Sequence, residues 1–283
     1  MSKADSHDDF TGVDWRTRTV TTLLTDMPAT AGGAPSHKAG SLARQSTIAR
    51  SSDGQYLDFV LPSASALALS IAISSADRAT ELRGQIEFSD AVSPFGDSKS
   101  VVEESTSELF DYFESYFTCA IFSFLALEVF ANEVISQNPN TLVTTNRGAC
   151  GKKKLVTLRA EQLESKSSTE EKLADVLPAI LKKDTPKGQV PWEAFRKLQR
   201  ARNEVVHMKA KDSNPRLERP EQLEHGTLLA RAFEEDVWEM PKAAVEMIGY
   251  FEVETLDSKW LQHAKSIVNR RSAIPRHQPL SGT

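Results

Sequence analysis

Cysteine and histidine are both scarce in this chain. Two cysteines, Cys119 and Cys150, and six histidines occur among 283 residues. Two cysteines in a chain of this length do not make a disulfide framework, and no Cys/His grouping has the spacing of a zinc finger. We therefore expect a protein of a reducing cytoplasm that has neither a structural metal nor a cofactor.

Long hydrophobic runs are also missing. The longest apolar run, Cys119 to Ala131, is interrupted by Glu128. It is too short to span a bilayer, which takes about 20 apolar residues. The segment Met1 to Asp9 is polar and acidic, which is not the pattern of a secretory signal. These absences predict a soluble protein with no membrane partner.

The chain carries no strong excess of charge of either sign. Its net charge is −5 and its hydrophobic content is 40%, which is enough to build a core. This balance argues against a protein whose whole surface coats nucleic acid. A local basic site is still compatible with it, because electrostatic capture depends on the patch and not on the total. The length leaves room for one large domain or two small ones.

The first third of the chain predicts a flexible segment followed by a small sheet. Residues 1–50 are rich in Ser, Thr, Ala, Gly and Asp, with a linker at 29–36 and a short strand within 18–24. Four aliphatic residues then alternate with Ala and Ser: Leu67, Leu69, Ile71 and Ile73. A two-residue repeat is typical of a half-buried strand, for which 56–61 and 85–88 are candidate partners. The alternative is a helix over 64–76.

Helices are predicted for the rest of the chain. Apolar residues repeat at three and four positions over 109–135, which predicts a helix of roughly nine turns that begins near Val101 and ends at Asn138. A polar loop that carries Lys152–Lys154 follows this long helix. Further helices are predicted over 158–166, 168–182, 191–210, 224–231, 241–250 and 258–270.

The helix predicted over 191–210 opens at Pro191, a favoured first position, and has two faces. At 100° per residue one side is apolar: Ala194, Leu198, Ala201, Val205 and Met208. The other side is a polar stripe without an acid: Arg196, Arg200, Asn203 and His207. Guanidinium groups grip oxyanions as a fork, and imidazole moves protons near neutral pH. The stripe therefore predicts a phosphate site with acid–base chemistry.

A short pattern at the end of this helix links it to a known family. From Arg202 to His207 the sequence reads Arg-Asn-Glu-Val-Val-His, so Asn follows Arg and four residues separate Arg from His. Leu127–Glu133 in the long helix and Trp192–Phe195 before the motif complete the arrangement. Over about residues 100–255 the chain resembles the HEPN superfamily, whose ribonucleases are described by Arg-x4–6-His.

The resemblance implies a mainly α fold: a HEPN-like antiparallel helical bundle preceded by a small β-containing N-terminal region. The corresponding division is a flexible segment over 1–50, a β-rich region over 51–97, the bundle over 98–270 and a flexible tail over 271–283. A homodimer with a composite active site is implied as well. An antitoxin or a sensor partner is expected to bind the N-terminal region.

The activity implied by the resemblance is metal-independent cleavage of RNA through attack of the ribose 2′-hydroxyl on the adjacent phosphorus. Such an endoribonuclease would be a toxin or an anti-phage effector. The alternative is a non-catalytic helical module that dimerises or binds a nucleotide or RNA.

Each residue of the motif has an implied role. His207 is the general acid or base, Arg202 stabilises charge on the phosphorane and Asn203 orients the phosphate or the histidine. Arg200 and Arg196 are further phosphate contacts. One difficulty is that Arg202 lies about 140° from His207 around the helix, so its side chain has to extend past the apolar side. The alternative is a structural Arg202, with Arg200 holding the phosphate in the six-residue form of the pattern.

Two polar residues of the long helix are candidates for supporting the motif. Glu128 and Asn132 are four residues apart and share one face. They are expected either to form hydrogen bonds with the motif helix or to be a polar notch between packed helices.

Overall fold

A computed structural model describes the chain as mainly helical, with a small β region near the N-terminus. The described residues are 14–22, 26, 28, 38, 42–44, 46–93, 96–147, 154–208, 228–252 and 259–272. The predicted linker at 29–36 lies outside them. So does most of the predicted tail, of which residues 271 and 272 form the end of the last helix.

The described strands pair as two-stranded antiparallel sheets. They are β1 (Thr19–Thr22) with β2 (Leu42–Arg44), β3 (Ser46–Arg50) with β4 (Tyr56–Val60), β5 (Phe88–Ser93) with β6 (Gly96–Val101), and β7 (Leu142–Arg147) with β8 (Lys154–Arg159).

Helices account for most of the remaining structure. They are α1 (Ala64–Gln85), α2 (Thr106–Gln137), α3 (Ala160–Glu164), α4 (Thr169–Glu171), α5 (Leu177–Leu181), α6 (Val190–Val206), α7 (Leu228–Glu234), α8 (Glu239–Tyr250) and α9 (Lys259–Ser272). A 3-10 turn, Glu103–Ser105, precedes α2. A π-helical turn, Lys172–Val176, joins α4 to α5.

The helix α1 forms where the two-residue repeat predicts a strand, so the strand interpretation of 64–76 is wrong and the helical alternative is confirmed. Ser63 caps this helix, because its hydroxyl accepts a hydrogen bond from the Ala66 N–H at 3.2 Å. Buried positions then recur at three and four residues: Ala66, Leu69, Ala72, Ile73, Ala76, Ala79 and Leu82. Alanine has the strongest helix propensity, and its small side chain lets α1 pack closely on its neighbours.

The remaining strand predictions for this region differ in outcome. A strand within 18–24 is confirmed by β1, and one over 56–61 is confirmed by β4. The partner strand over 85–88 is wrong, because α1 continues to Gln85 and β5 begins only at Phe88. The region over 51–97 therefore has a long helix at its centre, and that helix shares the hydrophobic core with α2.

The long helix α2 is confirmed and runs antiparallel to α1. The Ser65 hydroxyl near the start of α1 donates to Glu133 near the end of α2 at 3.0 Å. At the other end, the Glu87 N–H donates to Ser105 just before α2. Asn138 ends α2, and its side-chain amide donates to the Val134 carbonyl at 2.9 Å.

α2 is also long and apolar enough to cross a membrane, when it is judged only by length and composition over Glu103–Gln137. Within the described structure, 56% of its most apolar window is buried inside the protein. This is consistent with the core helix of a soluble protein. Burial around α2 comes from α1, α6 and α8, which all contact it.

The polar loop predicted after α2 is wrong, because Leu142–Arg147 and Lys154–Arg159 form the hairpin β7–β8. The sequence feature that indicates this hairpin is a second two-residue repeat, in which successive positions alternate between buried and exposed. Val143 and Thr145 are buried, whereas Leu142 and Thr144 are exposed. The β-branched residues favour a pleated strand, and the hydroxyls of Thr144 and Thr157 form a cross-strand hydrogen bond of 2.9 Å. Cys150, Lys152 and Lys153 lie outside the described residues.

Two aliphatic residues that lie two positions apart in α1 differ strongly in burial, and this difference allows a direct test of the helical conformation. Leu69 is fully buried and Ile71 is 40% exposed, whereas a strand would place both on one face. We expect Leu69→Ala to lower the free energy of unfolding by about 2–5 kcal/mol. The matched Ile71→Ala is expected to cost about 1 kcal/mol or less. Urea unfolding measures both losses, and equal losses contradict the helix.

Candidate functional site

The helix α6 carries the predicted motif and presents most of its predicted apolar face to the core, but Met208 lies beyond the helix end and is 45% exposed. Trp192, Phe195, Leu198 and Ala201 are buried. The Phe195 ring lies parallel to the Phe124 ring of α2, with 6.2 Å between centroids. Pro191 lies in the first turn, as the sequence indicates. These contacts fix the rotation of α6 and therefore decide which of its polar residues reach solvent.

α6 ends at Val206, four residues earlier than predicted, so His207 is not within the helix. His207 is its capping residue, with φ −118° and ψ 49°. Its backbone N–H still donates to the Asn203 carbonyl at 2.9 Å. Two consecutive β-branched residues, Val205 and Val206, disfavour a further turn. The consequence is an imidazole that leaves the helix end and is exposed to solvent.

Arg202 lies on the α2 side of α6, as the helical wheel predicts. Its guanidinium carbon is 5.1 Å from the centroid of the Phe124 ring, a cation–π contact. The same guanidinium donates from Nη1 to Asn203 Oδ1 at 3.1 Å. Arg202 is therefore half-buried and engaged, and it holds the side chain of the exposed Asn203 in one orientation.

Arg200 and His207 are both exposed in the C-terminal part of α6 and at its end. Seven residues separate them, which is about 10 Å along a helix axis. Arg200 also lines a cleft between α6 and α7. Between described residues, no hydrogen bond joins the imidazole of His207 to Arg200, Arg202 or Asn203. Arg200 is thus exposed, as the histidine is, whereas Arg202 packs on Phe124.

Arg196 lies on the same stripe as Arg200, but it already has an acidic partner. Its Nη1 lies 2.6 Å from Glu170 Oε2 of α4 and 3.1 Å from Gln199 Oε1. The amide of Gln199 also donates to Glu170. The sequence stripe contains no acid, but a distant helix supplies one, and this acid compensates the charge of Arg196. Arg196 therefore connects α6 to α4, and its role as a phosphate contact stays a prediction.

Glu128 and Asn132 share a face of α2, as expected, but neither forms a described hydrogen bond with α6. Asn132 Oδ1 accepts a 2.7 Å hydrogen bond from Lys172 Nζ, which extends from the π-helical turn. Lys172 is only 4% exposed. Burial lowers the pKa of Lys172, and the nearby carboxylates of Glu128 and Glu164 act in the opposite direction. The expected hydrogen bonds to the motif helix are thus replaced by contacts with this lysine.

Nothing in the sequence indicates that Lys172 is buried. It stands in Glu-Glu-Lys-Leu, a run that indicates a solvated helix face. The wider π turn, which is common at irregular points of helices, directs it inward between α2 and α3. Among the described residues, no group of three or more His, Cys, Asp or Glu is placed to hold a metal ion.

Comparison of the chain with protein-family models, with curated proteins and with solved structures finds no match. The resemblance to HEPN proteins therefore stays a prediction. The chemistry of α6 and its neighbours is the basis for the function proposed for this protein.

Lys172→Met is expected to lower the free energy of unfolding by about 1–3 kcal/mol near pH 7, because Asn132 loses its buried donor. This difference should widen as the pH rises toward 10.5, the ordinary pKa of lysine. Burial lowers the pKa of Lys172, so in that range the unfolded chain binds more protons than the folded one, and wild-type stability rises. Urea unfolding at several pH values measures the difference, and a gap that narrows with pH contradicts the prediction.

Proposed function

We propose that this protein is a metal-independent endoribonuclease of the HEPN type. The observation that carries the proposal is that a guanidinium, Arg200, and an imidazole, His207, are both exposed to solvent in the last two turns of α6 and at its end. A cation beside a proton-transfer group is what phosphodiester cleavage without a metal requires. Asn203 lies between them on the same stripe, and Arg202 holds its amide oxygen.

The reaction proceeds by attack of the ribose 2′-oxygen on the adjacent phosphorus, and the bond from phosphorus to the 5′-oxygen breaks. One proton leaves the 2′-hydroxyl and another reaches the departing 5′-oxygen. The products are a 2′,3′-cyclic phosphate and a 5′-hydroxyl. Arg200 stabilises the charge that develops on the phosphorane, and His207 transfers a proton. DNA has no 2′-hydroxyl, so it is not a substrate.

The need for two proton transfers supports a homodimer with a composite site. Each protomer offers one His207, so two protomers that face each other together supply the base and the acid. Two apolar side chains flank the histidine and are exposed, Val206 at 47% and Met208 at 45%. Apolar groups in such a position favour contact with another protein surface. Arg202, which touches Phe124, maintains the shape of the site from inside.

A toxin or an anti-phage effector in the cytoplasm is the setting that fits such an activity. A nuclease of this kind has to be restrained by an antitoxin or triggered by a sensor. The hairpin β3–β4 supports the N-terminal region as the place where that partner binds. Five large apolar residues of the hairpin are between 42% and 76% exposed: Ile48, Tyr56, Leu57, Phe59 and Val60. A two-stranded sheet with so much exposed apolar surface favours association.

Two matched substitutions on α6 test the proposed roles. Arg200→Met is expected to lower the rate of RNA cleavage by about 10²–10³-fold, because the phosphorane loses its cation. Arg202→Met removes the same charge two residues away and should lower the rate much less. It should mainly reduce the free energy of unfolding, by about 0.5–1 kcal/mol for the lost contact with Phe124. Gel analysis of labelled RNA and thermal unfolding measure the two effects.

His207→Ala is expected to reduce cleavage by about 10²–10⁴-fold without loss of stability, since the side chain is exposed. A DNA strand of the same sequence is the substrate control and should stay intact. If the wild-type protein and all three variants leave RNA uncut, the proposal that the protein is a nuclease is wrong. The non-catalytic binding module is then the better description. If Arg202→Met is the more damaging of the pair, Arg202 and not Arg200 holds the phosphate.

A further inference from the structure

The cleft between α6 and α7 is a small, charged cavity of about 30 Å³. Six polar side chains line it: Tyr116, Lys197, Arg200, Glu204, Arg231 and Glu235. A cavity of this size admits one water molecule or one oxygen of a larger group. The face of α6 that borders it continues, one turn further on, to His207.

Both acidic residues of the cleft interact with other side chains that line it. Glu204 forms an ion pair with Arg231 of α7. Glu235 accepts a hydrogen bond of 3.3 Å from the hydroxyl of Tyr116. Burial raises the pKa of Tyr116 well above its usual value of 10.0, so this phenol remains a donor. Three cations and two carboxylates thus line the cleft, and its formal charge is positive by one.

Two cations on the rim have no acidic partner among the described residues. Lys197 and Arg200 are exposed and lie one turn apart on α6, and neither takes part in an ion pair between described residues. The other two cations of this helix are engaged elsewhere, Arg196 by Glu170 and Arg202 by Phe124. Within the part of the chain that the structure describes, Lys197 and Arg200 are thus exposed cations without an ion pair, and both border α7.

Arg231, which lines the cleft, has one donor without an acceptor among the described residues. The Nε of Arg231 is buried, and no hydrogen-bond partner for it exists in the described structure. Buried donors are nearly always satisfied by protein, water or ligand. An oxygen atom bound in the cavity supplies an acceptor when the Arg231 side chain turns toward it, and the excess of cations in the lining favours an oxygen that carries negative charge.

We propose that the α6–α7 cleft binds the RNA phosphate next to the scissile one. One non-bridging oxygen enters toward Arg231 Nε, and Lys197 neutralises the charge from the rim. Lys197 is ten residues before His207, about 15 Å along the helix axis, with Arg200 between them. A strand that runs along α6 thus meets Lys197 and Arg231 at one phosphate and Arg200 and His207 at the next. This assignment rests on the proposed function for the identity of the RNA ligand.

The test measures binding of a fluorescein-labelled, mixed-sequence, single-stranded RNA 12-mer to full-length protein that carries His207→Ala. Anisotropy is recorded across a salt series for this parent and for added Lys197→Gln or Arg231→Lys. Removing one phosphate contact should lower the slope of log K against log salt by about 0.7 for Lys197→Gln. Arg231→Lys keeps the charge but loses the buried donor, and it should weaken binding about tenfold.

Arg78→Gln on α1 is the charge-matched control, because Arg78 lies in a separate groove beside Asp111 and Glu114. It should leave the salt slope at the parent value. If Lys197→Gln behaves like Arg78→Gln, or if Arg231→Lys binds RNA as the parent does, the cleft holds water only and the phosphate site is wrong. Lys197 is exposed, so its substitution remains informative even if Arg231→Lys fails to fold.

The two proposals fail in different ways. Cleavage of RNA by the wild type, together with unaltered binding by both cleft variants, overturns the phosphate site and leaves the nuclease standing. Intact RNA with the wild type, together with the expected losses of binding, overturns the nuclease. The cleft then remains an RNA-phosphate site of a binding module.

Discussion

The burial of α2 is the constraint on which the rest of the structure depends. This helix is apolar around most of its circumference, so no single neighbour can cover it. α1, α6 and α8 enclose it, and each must turn its own apolar stripe inward to do so. For α6 the consequence is specific. Stacking of Phe195 on Phe124 fixes its rotation, and that rotation decides which cations reach solvent.

The four cations of α6 have three different surroundings. Arg202 lies over the Phe124 ring of α2, and Arg196 forms an ion pair with Glu170 of α4. Lys197 and Arg200 line the cleft beside α7. Charge available for a phosphate is thus concentrated on one side, although the sequence spreads arginines along the whole helix. The early end of α6 adds to this effect by freeing the imidazole.

The buried Lys172 shows how an irregular turn changes the meaning of nearby residues. A regular helix from α4 to α5 would suit a solvated lysine, but the π turn directs it to Asn132 of α2. Glu128 and Glu164 contribute negative charge around the amine. The polar residues of α2 are therefore occupied in anchoring α4, and α4 in turn provides Glu170, which engages Arg196. A buried charge satisfied in this way stabilises one arrangement of helices over others.

Local periodicity by itself determined α2 and the two faces of α6, because an apolar repeat at three and four residues fits a helix and not a strand. Periodicity did not distinguish a strand from a helix over Leu67 to Ile73. Aliphatic residues that alternate with alanine and serine fit the two-residue repeat of a strand and also the repeat of a helix. Only packing against α2 decided for the helix, by burying Leu69 and exposing Ile71. The partners Phe124, Glu170 and Lys172 were likewise decided by tertiary structure. They come from distant parts of the chain, and no local repeat records which side chains meet when separate helices pack together.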